Sequence, residues 1–126
     1  MSQQSQVTIK ATPAEIQAVD RIITAYVNYI EGNLLPTSER AIVIATLHQL
    51  QSRLQRLALG DDGFLTLRIT FNEAIVLGQA VLVYQQMLKV KLPVLPRERQ
   101  DLRQVQDMQR RFLESTGKVG LEDGWG

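Results

Sequence analysis

Few side chains in this sequence carry reactive chemistry. His48 is the only histidine and there is no cysteine. A thiol nucleophile, or a metal site of thiolates or paired imidazoles, therefore cannot be assembled. His48 falls in the middle of a helical pattern, where surface or boundary packing accounts for it. Asp61 and Asp62 stand between glycines in Gly60-Asp61-Asp62-Gly63. Adjacent carboxylates attract cations, but the stretch lacks the ligand spacing of a calcium loop and has the composition of a tight turn. No catalytic, cofactor-binding or metal-ligating residue is assigned, and the expectation is a protein that is not an enzyme and takes no cofactor.

The remaining chemistry is that of recognition. Lys89, Lys91, Arg97, Arg99, Arg103, Arg110 and Arg111 crowd one stretch, opposed there by Glu98, Asp101 and Asp107. A solvated helix face produces such a mixture. So does a surface for an acidic partner or a phosphate backbone, for which Arg97, Arg99 and Arg103 are the candidates. The only tryptophan, Trp125, lies in an acidic, glycine-rich tail with Leu121. Tryptophan is a frequent interface anchor, so Leu121 and Trp125 either dock on a partner or neighbouring subunit or fold back on the body.

The elements that must position these groups are written twice. Val7 to Glu15 aligns with Leu65 to Glu73 at a constant offset of 58 residues, which also lays Tyr26 on Tyr84, Leu34 on Leu92 and Arg53 on Arg111. Each segment opens on a short alternating strand: Val7, Ile9 and Ala11 oppose Thr8 and Lys10, and Leu65, Leu67 and Ile69 oppose Thr66 and Arg68. Each strand runs into a capping box, Thr12 with Glu15 and Thr70 with Glu73. The expected fold is mostly α (α+β): a tandem strand-helix-helix duplication, with a short two-stranded antiparallel ribbon and four helices. The repeat spans 7–57 and 65–115 of a single domain 1–126, flanked by a flexible N-terminus 1–6 and tail 116–126.

The first helix carries Ile16, Val19, Ile22, Ile23, Tyr26, Val27 and Ile30 at helical spacing, with Gly32-Asn33 as its expected stop. Its counterpart, from Phe71 to Lys89, is apolar nearly all round, and is expected to be central or covered by another subunit. Thr37 or Ser38 is positioned to cap the second helix, with Ala41, Ile44, Ala45, Leu47, Leu50, Leu54 and Leu57 as its stripe. The last helix, from about Arg97 to Ser115, offers a narrow line of Leu102, Val105, Met108, Phe112 and Leu113.

This arrangement resembles the ribbon-helix-helix family of DNA-binding regulators, with two units fused in one chain. The resemblance implies that Thr8, Lys10, Thr66 and Arg68 form the outer, base-reading face of the ribbon. If the ribbon centres on Ile9 and Leu67, Lys10 faces Thr66 and Arg68 faces Thr8. Arg or Lys to guanine and Thr to either base is chemistry the major groove accepts. The sequence departs from the family pattern in a longer first helix, in Leu34-Leu35-Pro36 where a tight glycine turn belongs, and in Leu95-Pro96-Arg97 at the place of Thr37-Ser38.

Hydrophobic content of 44% with 21% charge is that of a folded protein, and the net charge of +1 argues against an unselective nucleic-acid binder. The polar start Met1 to Gln6 has no signal-peptide pattern, and the run from Ala74 to Tyr84 is too short for a membrane span. These features lead to the expectation of a cytoplasmic, non-membrane protein. The function expected is non-enzymatic macromolecule binding: a protein-interaction adaptor, assembly factor or regulatory subunit that self-associates as a homo-oligomer. A ribbon-helix-helix-like DNA-binding transcriptional regulator is the alternative.

Overall fold

Alternation and capping set the start of each half. In the computed structural model, which describes residues 6–91 and 93–116, strand β1 (Gln6–Ala11) pairs antiparallel with β2 (Leu65–Thr70). Ile9 opposes Leu67 at the centre, with Thr8 against Arg68 and Lys10 against Thr66 to either side. This is the register in which residues 58 apart meet at the middle of the ribbon. Ile9, Ala11, Leu65, Leu67 and Ile69 are buried on the inner face. β1 begins one residue before the expected boundary, so Gln6 belongs to the ribbon.

Helix α1 (Pro13–Asn33) leaves β1 through the Thr12 capping box. The Glu15 N–H donates to Thr12 Oγ1 at 3.1 Å, and Glu15 Oε1 accepts from the Thr12 N–H at 2.9 Å. Thr70 and Glu73 repeat both bonds at 3.1 and 2.8 Å at the start of α3 (Phe71–Val90). Each box satisfies helix-end donors, and a cap of this kind is worth about 1 kcal/mol. Gly32 does not stop α1. The helix continues through it to Asn33 and ends where Leu34 turns extended ahead of Pro36.

Thr37, rather than Ser38, caps α2 (Ser38–Leu54), accepting from the Arg40 N–H at 3.2 Å. Before α4 (Pro96–Thr116), Leu95 has no side-chain acceptor to offer. Glu98 instead reaches back to the Leu95 N–H at 2.9 Å and pairs with Lys91, which holds its carboxyl below the usual carboxylate range. At its far end α4 runs through Thr116, one residue into the expected tail.

The core lies under the ribbon. Ile16, Val19, Ile22, Ile23 and Val27 from α1 meet Leu47, Leu50 and Leu54 from α2, Leu77, Ala80 and Val81 from α3, and Val105 and Met108 from α4. Ala41 and Ala45, expected in the α2 stripe, face solvent; Ile44 of that stripe packs at the core edge, joined there by Val43. The second helix of each half packs across onto the other half, α2 on α3 and α4 on α1, as well as on its own first helix.

Candidate interaction surfaces

Three surfaces emerge from this frame. The first is the ribbon's outer face, where Thr8, Lys10 and Arg68 are exposed and Thr66 is half-buried. All four predicted groups therefore share one face. Lys10 is not free, however: its Nζ lies 2.8 Å from Asp62 Oδ2. The turn before β2 positions that carboxylate. Gly63 has φ of +84°, a left-handed conformation that favours glycine, and Asp62 Oδ1 accepts from the Phe64 N–H at 3.0 Å. The Lys10 bond, then the Phe64 N–H, holds the Asp62 carboxyl below its ordinary value. Asp61 and Asp62 thus belong to a turn, and no cluster of three metal-ligating side chains occurs among the described residues.

The ribbon is held from behind by two matching clamps. Arg53 of α2 pairs with Glu73 and donates to the Arg68 carbonyl at 2.9 Å. Arg111 of α4 pairs with Glu15 and donates to the Lys10 carbonyl at 3.0 Å. Every partner in one clamp lies 58 residues from its counterpart in the other. The glutamates are those of the capping boxes, so one carboxylate both caps a helix and anchors a helix from the other half. Arg111 also lies over the Phe64 ring, 5.1 Å from its centroid. The 58-residue offset aligns the two arginines and the two glutamates but does not join them, because their meeting across the halves is a tertiary event.

The second surface is the outer side of α4. Arg97, Arg99 and Arg103 are exposed and form no ion pair among the described residues. Arg99, Arg103 and Arg110 fall on one face by helical spacing; Arg110 pairs with Asp107 at 3.1 Å. Asp101 faces inward instead, where Arg21 of α1 grips it with two bonds of 2.7 Å. That pair raises Arg21 above its ordinary value. The corresponding positions in the α2–α3 contact carry Val43 and Gln79.

The third surface is the outer side of α3, the helix that its sequence marks as apolar nearly all round and either central or covered by another subunit. Phe71 is 60% exposed, Ile75 45% and Leu82 52%. With Gly78 they fall within about 60° of one another around the helix. The matching positions of α1 are Pro13, Gln17, Asp20 and Thr24, and Gln51 Nε2 donates to Asp20 Oδ1 at 3.0 Å and to Thr24 Oγ1 at 2.9 Å. Ile42 of α2, 66% exposed, is a further bare apolar side chain on an element that packs against α3. His48 is exposed on α2. Leu121 and Trp125 lie outside the described residues. No helix among the described residues is long and apolar enough to cross a membrane. No protein-family model matches the chain, and comparison with curated proteins and with solved structures returned no match.

Proposed function

We propose that this chain is a non-enzymatic macromolecule-binding protein, a protein-interaction adaptor, assembly factor or regulatory subunit, that docks protein surfaces on unlike sides. The observation that carries this reading is the exposed stripe of Phe71, Ile75 and Leu82 on α3, at positions where α1 bears Pro13, Gln17 and Thr24. The fold builds the same helix with a polar outer face in its other half, so folding does not require the apolar one. A bare apolar stripe rimmed by polar residues supports a docking surface. Arg99 and Arg103 on α4 supply a second, basic surface suited to an acidic partner. The matching Arg–Glu clamps support descent of both halves from one duplicated unit.

The test is affinity capture with the full chain, comparing wild type with Leu82→Lys and with Arg99→Glu/Arg103→Glu. The expected result is loss of bound protein with at least one variant while the melting temperature is kept. Identical capture by all three would remove the adaptor reading.

A second reading is favoured by the ribbon. Thr8, Lys10, Thr66 and Arg68 sit on one face in paired Thr-basic register, which supports a ribbon-helix-helix-like DNA-binding regulator. Against it stand the Lys10–Asp62 pair and the length of α1, whose 21 residues carry the chain about 31 Å from the ribbon before α2 begins. A phosphate contact from the start of α2, as that family uses, is then remote from the groove the ribbon would enter.

A further inference from the structure

We infer that the outer face of α3 is an isologous contact between two copies of this chain, with Gly78 at the crossing and Ile75 packed on Leu82 of the partner subunit. The inference rests on the reading of that face as a docking surface and names its occupant.

Charge selects a second copy. From Ala74 to Leu88, α3 contains no charged residue. A twofold contact brings a surface against its own image, so any charge near the axis would meet its like. A charge-free stripe is complementary to itself. Head-to-tail docking onto the outer side of α4 or α1 would instead press it against Arg99, Arg103 and Arg110, or against Asp20 and Arg21. These are charges that an apolar stripe cannot pair.

Spacing sets the geometry. The midpoint between Ile75 and Leu82 falls at Gly78 and Gln79. A twofold axis there runs the two α3 helices antiparallel and seats Ile75 of each on Leu82 of the other. The missing side chain at Gly78 lets the helices approach closely where they cross. The stripe is also small. Three half-exposed large side chains supply roughly 300 Å² per protomer, against the roughly 800 Å² per partner of a standard stable interface. The dimer is therefore weak and reversible, forming at high protein concentration.

Sedimentation equilibrium of the full chain from about 5 μM to about 1 mM tests this. Wild type should rise from the 14.2 kDa protomer toward twice that mass, equally at low and high salt, because no ion pair crosses the contact. Ile75→Glu and Leu82→Lys should each stay monomeric with unchanged helical circular dichroism. Mixed one to one, the two variants should associate, because the new carboxylate and ammonium meet across the axis. Wild type that is monomeric at 1 mM overturns the inference, as does undiminished association of either variant or a mixture that fails to associate. The adaptor reading fails by a different result, partner capture indifferent to every surface variant.

Discussion

Arg111 of α4 holds Glu15 of α1, a carboxylate with its side chain only 5% exposed that also caps its own helix through the Thr12 N–H. The pair joins the last helix to the first strand-helix corner. Arg53 and Glu73 do the same from the other half. The corners of the ribbon are thus fastened by helices from the opposite half, which makes the two halves interdependent for stability.

Removing either arginine leaves a nearly buried carboxylate without its cation. Arg53→Ala should cost about 2–3 kcal/mol, toward the low end for such pairs because the arginine is partly exposed. Arg111→Ala should cost about 0.5–1 kcal/mol more, since it also loses the contact with the Phe64 ring. Urea melts of the two variants check the order. A smaller loss for Arg111→Ala would contradict the ring contribution.

The Arg21–Asp101 pair separates the cost of breaking an ion pair from the worth of having one. Asp101 is 4% exposed, so Arg21→Ala should destabilise by about 2–4 kcal/mol by stranding its charge. The double variant Arg21→Gln/Asp101→Val installs the residues that the α2–α3 contact carries, Gln79 and Val43, and should lie within about 1 kcal/mol of wild type. Chemical denaturation of both proteins measures the difference. A double variant as weak as the single one would show that the pair itself supplies net stability.

The Lys10–Asp62 pair should appear in the pH dependence of stability. The folded Asp62 carboxyl titrates below its ordinary value of 3.8. Its contribution is therefore present above the unfolded value and is lost as pH falls through the lower folded one. Melting temperatures of wild type and Asp62→Asn should differ near neutral pH and converge in the acid range. A gap that persists at the lowest pH would assign the effect to the turn rather than to ionisation.

The ribbon reading makes its own prediction. Fluorescence anisotropy with a mixed duplex pool should show binding that weakens steeply with salt if the outer face contacts phosphate. Lys10→Ala/Arg68→Ala should then abolish sequence preference while lowering the melting temperature no further than Asp62→Asn does, because both side chains are exposed and the Lys10–Asp62 pair is lost in either case. Absence of binding at low salt removes DNA recognition and leaves the helix faces as the working surfaces.

Each capping threonine can be tested in isolation. Thr12→Ala and Thr70→Ala should each cost about 1 kcal/mol, a fall of about 3–5 °C in melting temperature for a chain of this size. Double loss should be near the sum, because the two boxes share no hydrogen bond. A strong departure from additivity would mean that the ribbon couples the two corners.

The sequence by itself determined what local chemistry decides. The strand alternation around Ile9 and Leu67, the boxes at Thr12 and Thr70, a cap at Thr37 or Ser38 and the Gly60–Gly63 turn depend on residues within a few positions of each other. The alternation fixed which face each strand buries but left the register open to slips of two residues, and the fold chose the one with Ile9 opposite Leu67. The tertiary structure decided everything that requires a helix to choose a side. Gly32 was carried through by helix hydrogen bonds, the Leu34 N–H to the Ile30 carbonyl and Asn33 Nδ2 to the Tyr29 carbonyl. Ala41 and Ala45 turned to solvent because Leu47, Leu50 and Leu54 define the buried line of α2. Lys10 was claimed by an aspartate from a distant turn, and Arg53 and Arg111 found glutamates in the opposite half. Above all, a helix apolar on every side carries no signal of which side the core will take. Packing against α1, α2 and α4 consumed Leu77, Ala80 and Val81 and left Phe71, Ile75 and Leu82 facing water.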